Sequence, residues 1–289
     1  MIIRRTEGVL VQGITGKQGT FWSERMRDYG TRIVGGVNPK RAGETHLGLP
    51  IWACAKDAAK DTQVDVAVMF IPPMGVKDAA LDAIDAGIKK IVCLTEHVPV
   101  HDTMYILSAA KERGTRMIGP NTAGVVTAGE CFVGFMPAFN PRVFQKGHVG
   151  VVSRSGSLGT LLCLNLVQAG LGISSFVGIG GDPIIGTTTK DALMSLDEDP
   201  DTRAVALVGE IGGAMEEEAA EYARTMKKPI AAFIAGAASP PGKKMGHAGA
   251  IVMGDKGSYA GKKAALEAAG VTVCATPNDV ALALKAKLG

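Results

Sequence analysis

Val9-Leu-Val-Gln12-Gly13-Ile-Thr-Gly16-Lys-Gln-Gly19-Thr20, followed without a break by a helical pattern to Tyr29, is the stretch that decides the fold. Val9–Ile14 is apolar and partly β-branched, which predicts a buried strand. Gly13–Gly19 supplies the turn, and Thr20–Tyr29 predicts a helix. A glycine-rich turn between a strand and a helix opens many doubly wound sheets, because its free backbone N–H groups point at whatever anion lies above the helix N-terminus.

Working outward, strands are predicted at Arg32–Val37, Val64–Pro72, Lys89–Thr95 and Arg116–Ile118. Between Val64–Pro72 and Lys89–Thr95, residues Val76, Ala79, Ala80, Ala83 and Ile84 fall on one helical face. Strand–helix alternation of this kind calls for a parallel sheet covered on both sides. A second α/β unit is expected from His148–Val152, with strands at Ile173–Ile179, Arg203–Ile211, Pro229–Ala235 and Val271–Ala275. Its helices include Met215–Arg224 and Tyr259–Ala269. The reading is therefore α/β in two domains, 1–136 and 148–289, with Pro137–Gly147 as linker.

Composition narrows the function. Charged residues make up 20% of the chain and the net charge is +3, too small a surplus to call for nucleic acid. No apolar run reaches the roughly 20 residues needed to span a bilayer. The five cysteines form no C-x-x-C pair and most lie in apolar stretches, so reduced thiols are expected. Met1-Ile-Ile-Arg-Arg leaves no room for a signal segment, so a cytoplasmic protein is expected, or a mitochondrial matrix protein in processed form.

Three loops carry candidate chemistry. After the second strand the chain reads Val37-Asn-Pro-Lys40-Arg41, basic where an NAD site places an acid on the ribose. Two cations there suit a phosphorylated ribose, as in CoA or NADP. Val151-Val-Ser153-Arg-Ser155-Gly156-Ser-Leu-Gly159 is a second strand–turn–helix, fit for an anion or for an ordinary serine cap. It is no hydrolase nucleophile elbow, since Ser153 and Ser157 stand where Gly-x-Ser-x-Gly demands glycines. Lys243-Lys-Met-Gly246-His247-Ala-Gly249-Ala-Ile sets an imidazole among small residues, where a neutral ring can act as a nucleophile and the lysines can hold an incoming phosphate. No second His or Cys stands beside it at metal-ligand spacing, so no metal is expected.

Seven segments, in order, resemble motifs of the succinyl-CoA synthetase α-subunit family. They are Gln12-Gly-Ile-Thr-Gly16, Thr45-His-Leu-Gly-Leu-Pro50, Met117-Ile-Gly-Pro-Asn121, Ser153-Arg-Ser-Gly156, Val177-Gly-Ile-Gly-Gly-Asp-Pro183, Gly209-Glu-Ile-Gly-Gly213 and Gly246-His-Ala-Gly-Ala-Ile251. The resemblance covers nearly the whole chain, with a small insertion around Phe139–Gln145. It implies a Rossmann-like CoA-binding domain followed by a flavodoxin-like ligase domain, in an NDP-forming acid–CoA ligase. It also implies an ATP-grasp β subunit holding ATP or GTP and Mg²⁺, in αβ or α₂β₂ form. Matched by position, Thr15, Gly16, Lys17, Gln18, Arg41, Leu94, Thr95 and Glu96 are implied CoA contacts, with Arg41 where the family has Lys. Ser153, Ser155 and Gly156 match the helix N-terminus facing a phosphorylated His247, and Glu210 matches the acid that holds it.

Two departures touch the acyl end. Where the family reads Thr-Tyr-Glu after Ser153-Arg-Ser-Gly-x-Leu, this chain has Gly159, Thr160 and Leu161. After Gly119-Pro-Asn121 it has Thr122-Ala123 in place of Cys-Pro or Cys-Ala. With Thr160 on the substrate wall, the acid is either succinate or another such as malate, citrate, a branched or an aromatic acid. Rival readings are an NADP-linked Rossmann oxidoreductase and a non-catalytic CoA-binding module.

Overall fold

The computed structural model describes residues 1–239, 246–252 and 257–289. The first sheet is built from β1 (Val9–Gln12), β2 (Ile33–Val37), β3 (Thr45–His46), β4 (Leu49–Trp52), β5 (Val66–Met69), β6 (Lys90–Cys93) and β7 (Arg116–Ile118). Helices α1 (Lys17–Tyr29), α2 (Ala55–Asp61), α3 (Val76–Asp85) and α4 (Val100–Arg113) cover it. Spatial order is β3-β4-β2-β1-β5-β6-β7, parallel except for the β3–β4 hairpin. Setting β3 aside, this is the doubly wound order with its switch at β1. Helix α1 begins three residues earlier than the sequence pattern suggested, because Gly16 itself is the N-cap. Both β1 and β5 are buried at every position, as strands covered on two faces must be.

The second sheet contains β8 (Gly124–Thr127), β9 (Cys131–Gly134), β10 (Lys146–Ser153), β11 (Ile173–Gly178), β12 (Ala204–Glu210), β13 (Ile230–Ala235) and β14 (Thr272–Cys274). Its helices are α5 (Gly156–Gln168), α6 (Thr189–Glu198), α7 (Met215–Ala223), α8 (Tyr259–Ala268) and α9 (Pro277–Leu288). The order β14-β13-β12-β10-β11-β8-β9 contains the flavodoxin-like arrangement, with its switch at β10. The two expected α/β units are both present, each on its own sheet.

The expected boundary at 136 is corrected by the hydrogen bonds. The β8–β9 hairpin pairs antiparallel with β11, so it belongs to the second sheet and the chain passes between sheets at Gly119–Ala123. Pro137–Gly147 is likewise no linker. Val143 and Phe144 are buried, Phe144 meets Phe176 edge-on at 6.1 Å, and Lys146 and Gly147 already belong to β10. Hairpin strands this short carry too little period-2 pattern to be told from loop. The hairpin also seals the units together. Thr31 and Phe132 exchange two hydrogen bonds, and one apolar cluster runs from Val9 and Met26 through Phe132 to Leu162 and Phe176. Cys93, Cys131 and Cys163 are buried, and burial pushes the first two thiols up to about 12.

Candidate active site

The switch at β10 explains how distant motifs meet. The chain leaves β10 for β11 on one side and returns to β12 on the other, so the carboxyl ends of β10 and β12 lie side by side. Ser153 registers with Val208, two residues before Glu210. Ser155 accepts from the Leu158 N–H at 3.3 Å and so caps α5, while Ser153 donates to the Ser155 carbonyl at 2.6 Å. Both hydroxyls are thus spent on shaping the turn. Gly156, the first helical residue, lies so close to Ala123 that a Cβ there would come within 2.8 Å.

His247 is held from two directions. Its Nδ1 lies 2.7 Å from Glu210 Oε2, and its ring rests on Gly181, where an added Cβ would fall 2.6–2.8 Å from the imidazole. Backbone bonds fix the loop around it, from Gly249 N–H to the Gly181 carbonyl and from Ala250 N–H to the His247 carbonyl. The hydrogen bond to Glu210 raises the imidazole above its ordinary 6.5; partial burial and Arg154 oppose that shift, and the charge of Glu96 adds to it. With Nδ1–H donating to the carboxylate, Nε2 keeps its lone pair. Lys243 and Lys244, expected to hold phosphate, lie outside the described residues.

Arg154, passed over between its two serines, is the side chain that joins the turn to the histidine. It is buried, with Nη2 3.2 Å from Glu210 Oε1 and Nη1 donating to the Gly212 carbonyl at 3.3 Å. No periodicity marks such a residue, because its partner lies at the end of the neighbouring strand.

At the end of the first sheet, two cavities of about 560 and 570 Å³ flank Phe70-Ile-Pro72. Gln18, Leu94 and Thr95 line one; Gln12, Gly13, Asn38 and Cys54 line the other. Both open at the carboxyl ends of strands around the β1 switch, where α/β folds bind ligands. Thr15 accepts from Asn38 Nδ2 at 2.7 Å, the N-cap Gly16 and the first helical residue Lys17 are exposed, and Gln18 accepts from Trp22 Nε1. Arg41 is half-buried and shares its charge with Glu44 at 2.8 Å. Gln12 Oε1 is buried with no partner among the described residues, on the wall of the second cavity. One unpaired buried acceptor, the open helix N-terminus of α1 and the nearby cations Lys17 and Arg41 fit a phosphorylated nucleotide such as CoA. Gln12 and Asn38 reach this cavity from the ends of β1 and β2, a meeting that no short stretch of sequence shows.

The two ends approach each other. The Asn121 amide donates to Asp182, its carbonyl accepts from Gly181 N–H, and the Gly119 carbonyl accepts from Gly186 N–H. The loop after β7 therefore carries the floor on which His247 rests. Thr122, one of the two departures, donates to the Gly178 carbonyl and accepts from Gly124 N–H, tying the hairpin to β11. Thr160 donates to the Gly156 carbonyl and lies beside Met136, whereas Leu161 is exposed and turned away. Of the insertion, Phe144 is packed into the core and Phe139 lies at the surface near Arg25.

Two family models match the chain: a CoA binding domain over residues 4–97 and a CoA-ligase domain over residues 152–272. Together with the fold they define the class, an acid–thiol ligase that binds CoA. The succinate–CoA ligase [ADP-forming] subunit alpha 2 of Archaeoglobus fulgidus is 48% identical, over 97% of each chain. The α subunit of the corresponding Staphylococcus aureus enzyme is 44% identical over 97% of this chain and 92% of its own. At 44% over 100% and 99% stands an ADP-forming sulfoacetate–CoA ligase subunit, SauD, of Bilophila wadsworthia. Among solved structures, an ATP citrate lyase of Methanosaeta concilii in complex with citryl-CoA shares the fold at a TM-score of 0.91 and 24% identity. This chain spans 51% of that one. The chain belongs to the succinyl-CoA synthetase α-subunit family. That membership decides against the NADP-linked reading.

Proposed function

We propose that this chain is the α subunit of an NDP-forming carboxylic acid–CoA ligase in which His247 carries the phosphoryl group. The observation that carries the reading is the 2.7 Å contact between His247 Nδ1 and Glu210, which fixes the tautomer and leaves Nε2 nucleophilic. Nε2 attacks the γ-phosphorus of a nucleoside triphosphate; an N–P bond forms and NDP departs with the electron pair of the broken P–O bond. The ring keeps its Nδ1 proton, and the ionised Glu210 accepts that hydrogen bond and balances the phosphoimidazolium charge. A substrate carboxylate oxygen then attacks phosphorus, and the N–P electrons return to Nε2. CoA thiolate displaces inorganic phosphate from the acyl phosphate by forming the C–S bond as the C–O bond breaks.

Several parts of the chain fit this sequence. The helix N-terminus of α5 behind Ser153, Ser155 and Gly156 favours phosphate charge. Thr15, Gly16, Lys17, Gln18 and Arg41 hold the phosphates of CoA, and the chain running through Leu94, Thr95 and Glu96 leads its thiol toward His247; the charge of Glu96 is already felt there. The nucleotide and Mg²⁺ belong to an ATP-grasp β subunit, a partner supported by relatives that are themselves named α subunits. Thr160 lies on the acyl wall, and the pairing of succinate and sulfoacetate enzymes among the relatives supports a small anionic acid. Buried unpaired thiols suit the cytoplasm or a comparable reducing compartment.

The test is incubation with the partner subunit and γ-labelled triphosphate. The label should be acid-labile and base-stable, absent from His247→Asn, and discharged by CoA plus acid. Full turnover by His247→Asn would refute the mechanism.

A further inference from the structure

Lys262 has no exposed surface, an unusual position for an ammonium group. It lies on α8, away from both cavities, and all three of its protons are used. They go to Glu216 Oε2, to Glu217 Oε2 at 2.8 Å and to the Gly213 carbonyl at 3.0 Å. Glu216 is equally buried, and its other oxygen, Oε1, accepts from the Glu210 N–H at 3.2 Å and faces Arg154 Nη1 at 3.8 Å. Arg154 in turn faces the Glu210 carboxylate, which holds His247. Charges therefore alternate along an unbroken line: Lys262, Glu216, Arg154, Glu210, His247.

We propose that Lys262 and Glu216 are positioning residues for His247, a role that rests on the phosphohistidine reading. A link between α7 and α8 alone could be made at the surface, without desolvating an arginine and two glutamates. What the buried arrangement adds is direction. Lys262 holds Glu216 in place; Glu216 fixes the backbone N–H of Glu210 and shares Arg154 with its carboxylate. Glu210 Oε1 has no hydrogen bond among the described residues, so only Arg154 restrains the carboxylate on the side away from the imidazole. Without Lys262, Glu216 has Arg154 as its remaining cation and pulls it from Glu210. Among the described residues, the charges that act on His247 are those of Glu210, Arg154 and Glu96, and of these the relay governs the first two.

The experiment uses the full chain with ¹⁵N-labelled histidine, the His247 signal being assigned by its loss in His247→Asn. In the wild type Nδ1 should carry the proton of the neutral ring. In Lys262→Met, where Arg154 is drawn from Glu210, the tautomers should mix and the titration midpoint should rise, because Arg154 opposes the raised imidazole; in the shape-preserving Glu216→Gln, where Arg154 is left to Glu210 alone, they should mix and the midpoint should fall toward the ordinary histidine value. His247 phosphorylation should slow roughly 3- to 30-fold, with CoA affinity unchanged. Folded variants whose His247 tautomer and midpoint match the wild type would overturn the proposal. If Lys262→Met does not fold, Glu216→Gln decides by the same two readings. A wild-type chain that never takes up phosphate would defeat the ligase mechanism, yet the tautomer measurement would still judge the relay.

Discussion

Gly181→Ala probes the seat of the histidine more cleanly than any change at the histidine itself. Gly181 does not have the positive φ that would strain an alanine, so the substitution adds one methyl and nothing else. That methyl would lie 2.6 Å from His247 Cγ and 2.7 Å from Nδ1. Carbon atoms in contact sit about 3.5–4.0 Å apart, so the ring must retreat by roughly 1 Å. Nδ1 sits 2.7 Å from Glu210, and a retreat of that size carries the pair beyond hydrogen-bonding range. Overpacking of this sort costs about 1–3 kcal/mol where the surroundings are rigid. Here the yielding element is the His247 loop, so the cost should appear in function more than in stability. Misplacement of a reacting group by 1 Å can cost about 100-fold. Rapid-quench phosphorylation with the partner subunit should show a loss of about 10- to 100-fold, while calorimetry finds CoA binding unchanged. Phosphorylation at the wild-type rate would refute the argument that the ring is positioned by its contact with Gly181.

The pH dependence follows from the raised imidazole. Because the nucleophile is the neutral ring, phosphorylation should rise with pH through a midpoint above 6.5, and Glu210→Gln should move that midpoint down while lowering the plateau. For stability the sign is opposite: the His247–Glu210 pair contributes fully below about 6.5 and loses its contribution as pH climbs through the folded-state value, which urea titrations across that window would detect. Arg41→Glu should weaken CoA by about 1–3 kcal/mol, the loss of a charge-assisted contact plus repulsion from Glu44; calorimetry showing tight NADP and no CoA binding would overturn the site. Thr160→Tyr should fill the space beside Met136 and lower kcat/KM for acids bulkier than succinate by about 10-fold relative to succinate, and an unchanged acid profile would show that the wall lies elsewhere.

Local pattern determined a great deal about this protein. The apolar runs at Val9, Val66, Ile91 and Val151 could form only buried parallel strands, and the Gly13–Gly19 turn could only face a ligand or solvent. The order of seven short motifs pointed to His247 and Glu210, because glycine-rich loops that must approach a ligand leave compact signatures in sequence. Residues whose role depends on neighbours across the fold left none. The β8–β9 hairpin could join either sheet until its hydrogen bonds to β11 were formed, and β-pairing is a non-local choice that no short window contains. Glu216 stands in a run of three glutamates, Glu216–Glu218, that looks like any solvated helix start, and Lys262 stands beside Lys263 in an ordinary helix. Only when α7 packs on α8, and β10 lies beside β12, do these charges lose water and find one another. Burial is a property of the assembled chain, and burial is what turns a surface-type charge into one that must be paired.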